Sequence, residues 1–332
     1  MNVIKNLVFE GGGILGLSYL GTLDYLYANN LTTHLSNVAG TSAGAMTAAI
    51  VSFHLPFQEI KSIADSLDYR KVLQKKEDNI LPWLPPELKN LMEESFGDLP
   101  CLFRLVHNYG WYSTDYIYAW MQQVIADQFD PAKKQPPYTF ADFKDPSLHK
   151  NATPFFDLSI IGTNLSTQAW EVFSYETTPF MEVALAVCIS ISIPLLFESV
   201  KNPPNAGADN KETNIYCDGG VMNNYPLSLF DTVGDYRYPY YKVNMETLGV
   251  RFASKLGYKN ITNLVDYIQS LIQVYTSIQE QIYKSNPLNE DRSIIIHNEE
   301  VHFLDFNITP DDPKYQYLYA KGYEAAQNFF QK

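Results

Sequence analysis

A Gly-Thr-Ser-Ala-Gly pentapeptide, residues 40–44, constrains the fold of this 332-residue chain more than any other stretch. It follows an apolar pair and opens a run of small, helix-forming residues from Ala43 to Val51. This is the form of a nucleophile elbow, in which a serine lies on a sharp strand-to-helix turn with its hydroxyl exposed. We therefore predict that Ser42 is a nucleophile, flanked by Gly40 and Gly44 because a Cβ would clash in so tight a turn. Alone, the pattern is a weak indicator, since small-residue turns of this form also arise by chance.

A second glycine cluster lies upstream, directly after a predicted buried strand at residues 6–10. Gly11, Gly12 and Gly13 come first, and Gly16 follows at the opening of an apolar helix. Consecutive glycines at a helix N-terminus leave N–H groups bare, where the helix dipole also favours negative charge. Beside an exposed serine, such donors suit a tetrahedral oxyanion, and we predict an oxyanion hole here.

Two other interpretations of the glycine cluster remain open. The spacing of Gly11, Gly13 and Gly16 also matches a dinucleotide fingerprint, which needs an acidic residue about 20 positions further on. No acid stands there, and Asp24 falls inside the predicted first helix. A purely structural glycine turn is the second alternative.

A third motif lies far downstream, where a short β-like run, residues 214–218, ends in Asp218 and is followed by Gly219 and Gly220. A carboxylate at a strand end can act as general base on a serine hydroxyl within hydrogen-bond reach. An ordinary Asp-Gly turn is the structural alternative. A Ser-Asp-His triad would draw its imidazole from His297 or His302, which follow the aspartate along the chain.

Together and in this order, the three motifs resemble those of the patatin-like phospholipase family, in its bacterial-type form. The resemblance covers nearly the whole chain. It implies a three-layer α/β/α fold with a mostly parallel central sheet, in agreement with the βαβα pattern of residues 3–51. We expect one patatin-like domain over residues 1–332, with a helical insertion or lid at 52–137 and a C-terminal extension at 255–332 packed on the core.

The resemblance also implies a chemistry and a set of site residues. Ser42 and Asp218 would form a catalytic dyad that cleaves phospholipid or other lipid esters through an acyl-enzyme, as in a phospholipase A. One departure is Leu15, which stands where the family often has Arg or Lys and leaves the head-group preference open. A milder departure is Glu10, in place of Asp. The glycines expected to hold the oxyanion or support the motifs are Gly11, Gly12, Gly13, Gly16, Gly40, Gly44, Gly219 and Gly220.

Bulk composition bears on partners. A net charge of -13 argues against nucleic acid and against electrostatic adsorption to anionic membranes, so peripheral membrane contact would rest on apolar and aromatic residues. The three scattered cysteines form neither a disulfide framework nor a metal site, and no cofactor is expected. Without a signal-peptide pattern or a run of transmembrane length, we expect a cytoplasmic protein, or an effector secreted by a signal-independent route.

Three further expectations concern partners and surfaces. Some bacterial relatives need a protein or nucleotide activator, and a non-catalytic effector with a vestigial pocket is the competing class. The loop at 201–213 is rich in Asn, Pro and Gly and is predicted to be flexible. Residues 260–285 are predicted to form one amphipathic helix that docks on the core, with a binding groove as the alternative. The candidates for a lipid-facing lid are Trp83, Leu84, Leu88, Leu91, Met92, Phe96, Leu102 and Phe103.

Overall fold

The protein, described by a computed structural model, is built around one mixed β-sheet with helices packed against it. The structure describes residues 3–73, 99–202, 213–231, 243–254, 257–258, 260–262 and 264–331. The strands are β1 (Asn6–Phe9), β2 (Asn37–Thr41), β3 (Gly110–Tyr112), β4 (Asp157–Asn164), β5 (Ala169–Phe173), β6 (Leu195–Phe197), β7 (Val200–Asn202), β8 (Asn214–Asp218), β9 (Thr247–Phe252) and β10 (Ser293–Ile296). The helices are α1 (Ser18–Ala28), α2 (Ala43–Ser52), α3 (Phe57–Asp65), α4 (Leu99–Asn108), α5 (Asp115–Ala126), α6 (Phe140–Lys144), α7 (Val183–Ile191), α8 (Gly220–Asn223), α9 (Leu264–Lys284), α10 (Leu288–Asp291) and α11 (Pro313–Phe330).

The main sheet has the strand order β10-β9-β1-β2-β4-β8-β7, with β5 paired to β4. Strands β10, β9, β1, β2 and β4 run parallel, whereas β8 and β5 are antiparallel to β4. All four residues of β1 are buried, as is typical of a parallel strand covered by helices on both faces. The predicted α/β/α fold with a mostly parallel central sheet is therefore confirmed.

Two examples show how the helices pack in this fold. α7 is apolar all round, and all its residues except Leu185 are buried, because it lies against β4, β8, α2 and α5. α1 lies against α11, so the end of the chain packs beside its beginning. In the part of the chain that the structure describes, no helix combines the length and apolarity needed to cross a bilayer.

The described part of the region predicted to be helical insertion, residues 52–137, contains one strand that the sequence did not suggest. Gly110–Tyr112 pairs in parallel with Leu195–Phe197 as a two-stranded sheet, and three residues are too few to show a period of two. Six of the eight proposed lid residues, from Trp83 to Phe96, lie outside the described residues, as do the side chains of Leu102 and Phe103.

Two further expectations need correction. The predicted flexible loop at 201–213 begins inside a strand, because Lys201 and Asn202 belong to β7, which pairs with β8, and residues 203–212 lie outside the described residues. Helix α9 does form, but its apolar residues are not all docked on the core: Ile268 is 2% exposed and Ile278 is 57% exposed. The apolar arc of this helix is wider than the face that packs.

Candidate active site

Ser42 occupies a strained turn between β2, which ends at Thr41, and α2, which begins at Ala43. Its φ of 54° is in a region that side chains other than glycine rarely adopt, as a nucleophile elbow requires. A Cβ on Gly40 would lie 2.1 Å from the Gly44 carbonyl oxygen, and one on Gly44 would lie 2.4 Å from that of Phe9. The pattern Gly-x-Ser-x-Gly is therefore demanded by contacts of the backbone with itself and with β1.

The register of the sheet brings Asp218 to the serine. Thr41 on β2 pairs with Ile161 on β4, so the residue after Thr41 lies level with Gly162. Gly162 in turn pairs with Asp218 on the antiparallel strand β8. The last residue of β8 thus reaches the sheet edge at which the parallel strands also end, although β8 runs the opposite way.

Ser42 and Asp218 form a direct hydrogen bond. The Ser42 hydroxyl donates to Asp218 Oδ2 over 2.6 Å, and the Gly220 N–H donates to Oδ1 over 2.6 Å. Both side chains are buried, with residue exposures of 6% and 5%. Burial raises the pKa of Asp218 to about 7, and the hydrogen bonds from Ser42 and Gly220 oppose this rise. The carboxyl is thus poised to gain and lose a proton near neutral pH.

The glycines predicted to form the oxyanion hole differ in whether their N–H groups already have a hydrogen-bond partner. The Gly11 N–H donates to the Asn224 carbonyl oxygen over 2.9 Å, so Gly11 is not available as an oxyanion donor, in contrast to the prediction. No hydrogen bond to another described residue occupies the N–H of Gly12 or Gly13. The N–H of Ala43 is also without a partner among the described residues, because the first N–H groups of a helix have none within it.

Other glycines of the motifs lie around the same site. Gly16 is in the turn that leads into α1 and lines a cavity that reaches Ser42. Gly219 and Gly220 follow β8, and Gly220 holds the Asp218 carboxylate through its N–H.

A buried ionic cluster lies directly beside the glycine loop, around Glu10. Glu10 Oε2 accepts a hydrogen bond of 2.7 Å from the Phe252 N–H, and Arg251 lies 3.8 Å from Oε1 and is paired with Glu280. Burial raises the pKa of Glu10 to about 7, against the opposing effect of Arg251. These contacts join the end of β1 to the end of β9.

Two cavities meet at Ser42. One is narrow, has a volume of about 80 Å³ and is walled mainly by aliphatic side chains of α1, α2 and α3. The other is wider, at about 470 Å³, and contains Asp218, Leu15 and Arg251 among its lining residues. Ser42 and Gly13 line both. The hydroxyl therefore stands between an apolar compartment and a wider, more polar one.

The histidines suggested for a triad lie elsewhere. His297 is exposed, and the ring of His302 is within hydrogen-bond reach of Gln269 and the Leu304 N–H. Among the described residues, no histidine lines either cavity, and no group of three His, Cys, Asp or Glu has the arrangement of a metal site.

Sequence reasoning missed the residues that hold the catalytic segments in place. The Ser42 N–H donates to Ser190 Oγ over 2.8 Å, and Ser190 donates to the Ile161 carbonyl over 2.6 Å. The residues around Ser190 carry no motif that indicates this role, which follows only from its distance to Ser42 in space. Gln279 on α9 donates to the Gly220 carbonyl over 2.9 Å and accepts from the Asn224 N–H over 2.6 Å.

Comparisons with known proteins find relatives that match most of this chain. An uncharacterized protein of Acanthamoeba polyphaga mimivirus is 26% identical over 98% of this chain and 93% of its own length. Triacylglycerol lipase 4 of Saccharomyces cerevisiae is 22% identical over 92% of this chain, which spans 32% of that protein. The crystal structure of VipD from Legionella pneumophila superposes with a TM-score of 0.58 and 20% identity, covering 99% of this chain and 67% of that one.

The family model described as patatin-like phospholipase matches residues 7–231, which is more than half of the chain and includes all three motifs. That family is one of lipid hydrolases, in keeping with a serine hydroxyl and a carboxylate beside an apolar cavity. The chain belongs to the patatin-like phospholipase family.

Proposed function

We propose that this lipid hydrolase is a lipid acyl hydrolase of the phospholipase A type, which cleaves an acyl ester through a Ser42–Asp218 dyad. The observation that carries the proposal is the 2.6 Å hydrogen bond between the two side chains, at the junction of two cavities. A serine nucleophile needs an adjacent base, and the Asp218 carboxylate is the base that touches it.

The reaction follows from this geometry in two halves. Asp218 accepts the proton of Ser42, and the alkoxide attacks the ester carbonyl carbon to give a tetrahedral oxyanion. The N–H groups of Gly12, Gly13 and Ala43 are the donors left to stabilise that oxyanion. The intermediate expels the lysolipid alcohol, which takes the proton from Asp218, and an acyl-enzyme remains.

Water completes the cycle by the same route. Asp218 accepts a proton from a water molecule, and the hydroxide attacks the acyl-enzyme carbonyl. The second tetrahedral intermediate breaks to release the fatty acid and regenerate the Ser42 hydroxyl. A carboxyl with a pKa of about 7 suits both steps, because it can accept and return a proton at neutral pH.

The narrow cavity fits the acyl chain. It runs along α2 from Ala43 beside the serine, past Met46, to Ile50. The seven residue steps from Ala43 to Ile50, at 1.5 Å each, give a depth of about 10 Å. An aliphatic wall of this length would line the first part of a fatty acyl chain, whereas the wider cavity would take the rest of the lipid.

Neither alternative chemistry has comparable support. A triad would require an imidazole at the dyad, and His297 and His302 line neither cavity. Dinucleotide binding at the glycines would compete with the Asn224 carbonyl, which already takes the Gly11 N–H.

Leu15 lines the wider cavity, so the cation that many relatives carry there is missing and neutral glycerides join phospholipids as substrates to be tested. An activator, membrane association in the cytoplasm and delivery as a secreted effector stay predictions.

The test is hydrolysis of phosphatidylcholine and of triacylglycerol by the purified protein, with released fatty acids and lysolipids measured by mass spectrometry. Ser42→Ala and Asp218→Asn should each abolish release, and His297→Ala should retain it. The assay is run with and without a eukaryotic cell extract, so that dependence on an activator is detected. Full activity of Asp218→Asn, or loss in His297→Ala alone, would refute the dyad, and failure of a fluorophosphonate to label Ser42 under activating conditions would favour a non-catalytic module.

A further inference from the structure

The outer face of helix α9 is apolar and exposed. Tyr267, Val274, Ile278 and Ile282 are between 50% and 67% exposed. Their spacing of seven, four and four residues puts them on one side of the helix over four turns. No charged residue occurs in the sequence from Tyr267 to Gln279. A continuous apolar stripe of this kind on a protein surface marks an interaction site.

This face continues to the mouth of the wide cavity. Ile282 lines that cavity together with Trp170 from β5 and Met222 from α8. Trp170 is 42% exposed and Met222 is 41% exposed. Apolar side chains from three separate elements thus border the opening that leads to Ser42.

Gln279 fixes this surface relative to the catalytic segments. Its amide nitrogen donates to the Gly220 carbonyl, next to the Asp218 turn, and its oxygen accepts from the Asn224 N–H. Asn224 in turn accepts from the Gly11 N–H. A lipid or protein surface bound along α9 would therefore meet the cavity mouth in one fixed orientation.

Charge and position identify the occupant. Aliphatic residues with Trp and Tyr and without cations are typical of a segment that enters the boundary of a lipid layer, and a net charge of -13 opposes anionic layers. The opening that these side chains border is also the route by which a lipid ester would enter. We propose that the docking face, defined as Tyr267, Val274, Ile278, Ile282, Trp170 and Met222, binds an uncharged or zwitterionic lipid surface and places the cavity mouth against it. This inference rests on the proposed function.

The test uses a double variant, Val274→Ser with Ile278→Ser, because neither residue lines either of the two cavities at Ser42. Binding to phosphatidylcholine vesicles is measured by flotation in the Ser42→Ala background, so that the vesicles are not hydrolysed. Each substitution should weaken binding about tenfold, from the apolar area that no longer enters the lipid, and both together up to about a hundredfold. Phe180→Ser is the matched control, because Phe180 is 79% exposed and lies outside the docking face.

Activity separates this proposal from the proposed function. With Ser42 intact, the double variant should hydrolyse soluble p-nitrophenyl butyrate like the parent, and lose vesicle hydrolysis by the factor that binding loses. Three results would each overturn the docking face. The first is unchanged vesicle binding by the double variant, and the second is stronger binding of the parent to phosphatidylserine vesicles than to phosphatidylcholine vesicles. The third is a parent protein that is a dimer in solution while the double variant is a monomer. Loss of vesicle binding in the double variant, from a parent that cannot hydrolyse the butyrate, would support the docking face and refute the hydrolase.

Discussion

Replacing Asp218 with Asn should abolish hydrolysis and, at neutral pH, make the protein more stable. The Asp218 carboxyl is buried, and its pKa rises from the ordinary value of 3.8 to about 7. At 1.36 kcal/mol per pH unit, ionising it in the folded protein costs about 4 kcal/mol relative to the unfolded chain. Asparagine carries no charge, and its oxygen can still accept from Gly220 while its amide donates to the Ser42 oxygen.

The direction in which the free energy of unfolding changes with pH follows from the raised pKa of Asp218. Between pH 3.8 and about 7 the folded protein keeps the Asp218 proton and the unfolded chain loses it, so the free energy of unfolding falls as the pH rises through this window. Asp218→Asn removes this loss. The advantage of the variant should therefore grow by about 2 to 3 kcal/mol between pH 5 and pH 8.

Urea unfolding of the parent and of Asp218→Asn at pH 5 and pH 8, followed by tryptophan fluorescence, measures this difference. Glu176→Gln is the control, because it removes a carboxylate from an exposed position. A stability difference that is the same at both pH values, in a variant that is folded and inactive, would show that Asp218 ionises as easily in the fold as in water. The base would then not be tuned by burial.

Three other perturbations follow from the same geometry. In a pH profile of the parent, kcat/KM should rise about tenfold per pH unit below pH 7 and level off above it, because Asp218 must be ionised to act as base; a rate that is highest below pH 6 would contradict this. Ile50→Phe fills the far end of the narrow cavity. Hydrolysis of p-nitrophenyl palmitate should therefore fall, while hydrolysis of p-nitrophenyl butyrate persists. Equal losses of activity on both esters would argue that the acyl chain lies elsewhere. Ser190→Ala removes the partner of the buried Ser42 N–H and one donor to the Ile161 carbonyl. This should lower the free energy of unfolding by about 1 to 3 kcal/mol and reduce kcat with little change in KM. Urea unfolding and steady-state kinetics measure both effects, and unaltered kcat would remove Ser190 from the positioning of the nucleophile.

Local patterns predicted the parts of this molecule whose structure depends on neighbours in sequence. The elbow at Ser42 could be recognised because its Gly-x-Ser-x-Gly pattern occupies five consecutive residues, although Gly44 makes room for the distant Phe9 carbonyl. The final helix, Pro313–Phe330, begins where two neighbouring residues favour a helix start, because Asp312 caps it and Pro313 opens it.

Features that depend on distant pairing could not be derived in this way. That the Gly11 N–H is occupied depends on Asn224, more than 200 residues away. The exposure of Ile278 depends on which side of α9 meets the core. A helix pattern gives the apolar arc but not its orientation, and here the arc covers both the packed and the exposed side.

In the proposed mechanism, the position of Asp218 explains how a carboxylate would do the work that an imidazole does in many serine hydrolases. In water a carboxyl is too acidic to accept a proton from serine at neutral pH, so a dyad without histidine needs a raised pKa. Strand β8 supplies this by ending level with Gly162, inside the layer of helices, where desolvation raises the pKa of Asp218 more than the Ser42 and Gly220 bonds lower it. The same burial destabilises the ionised protein, so the basicity of the Asp218 carboxylate and a loss of stability have one physical cause.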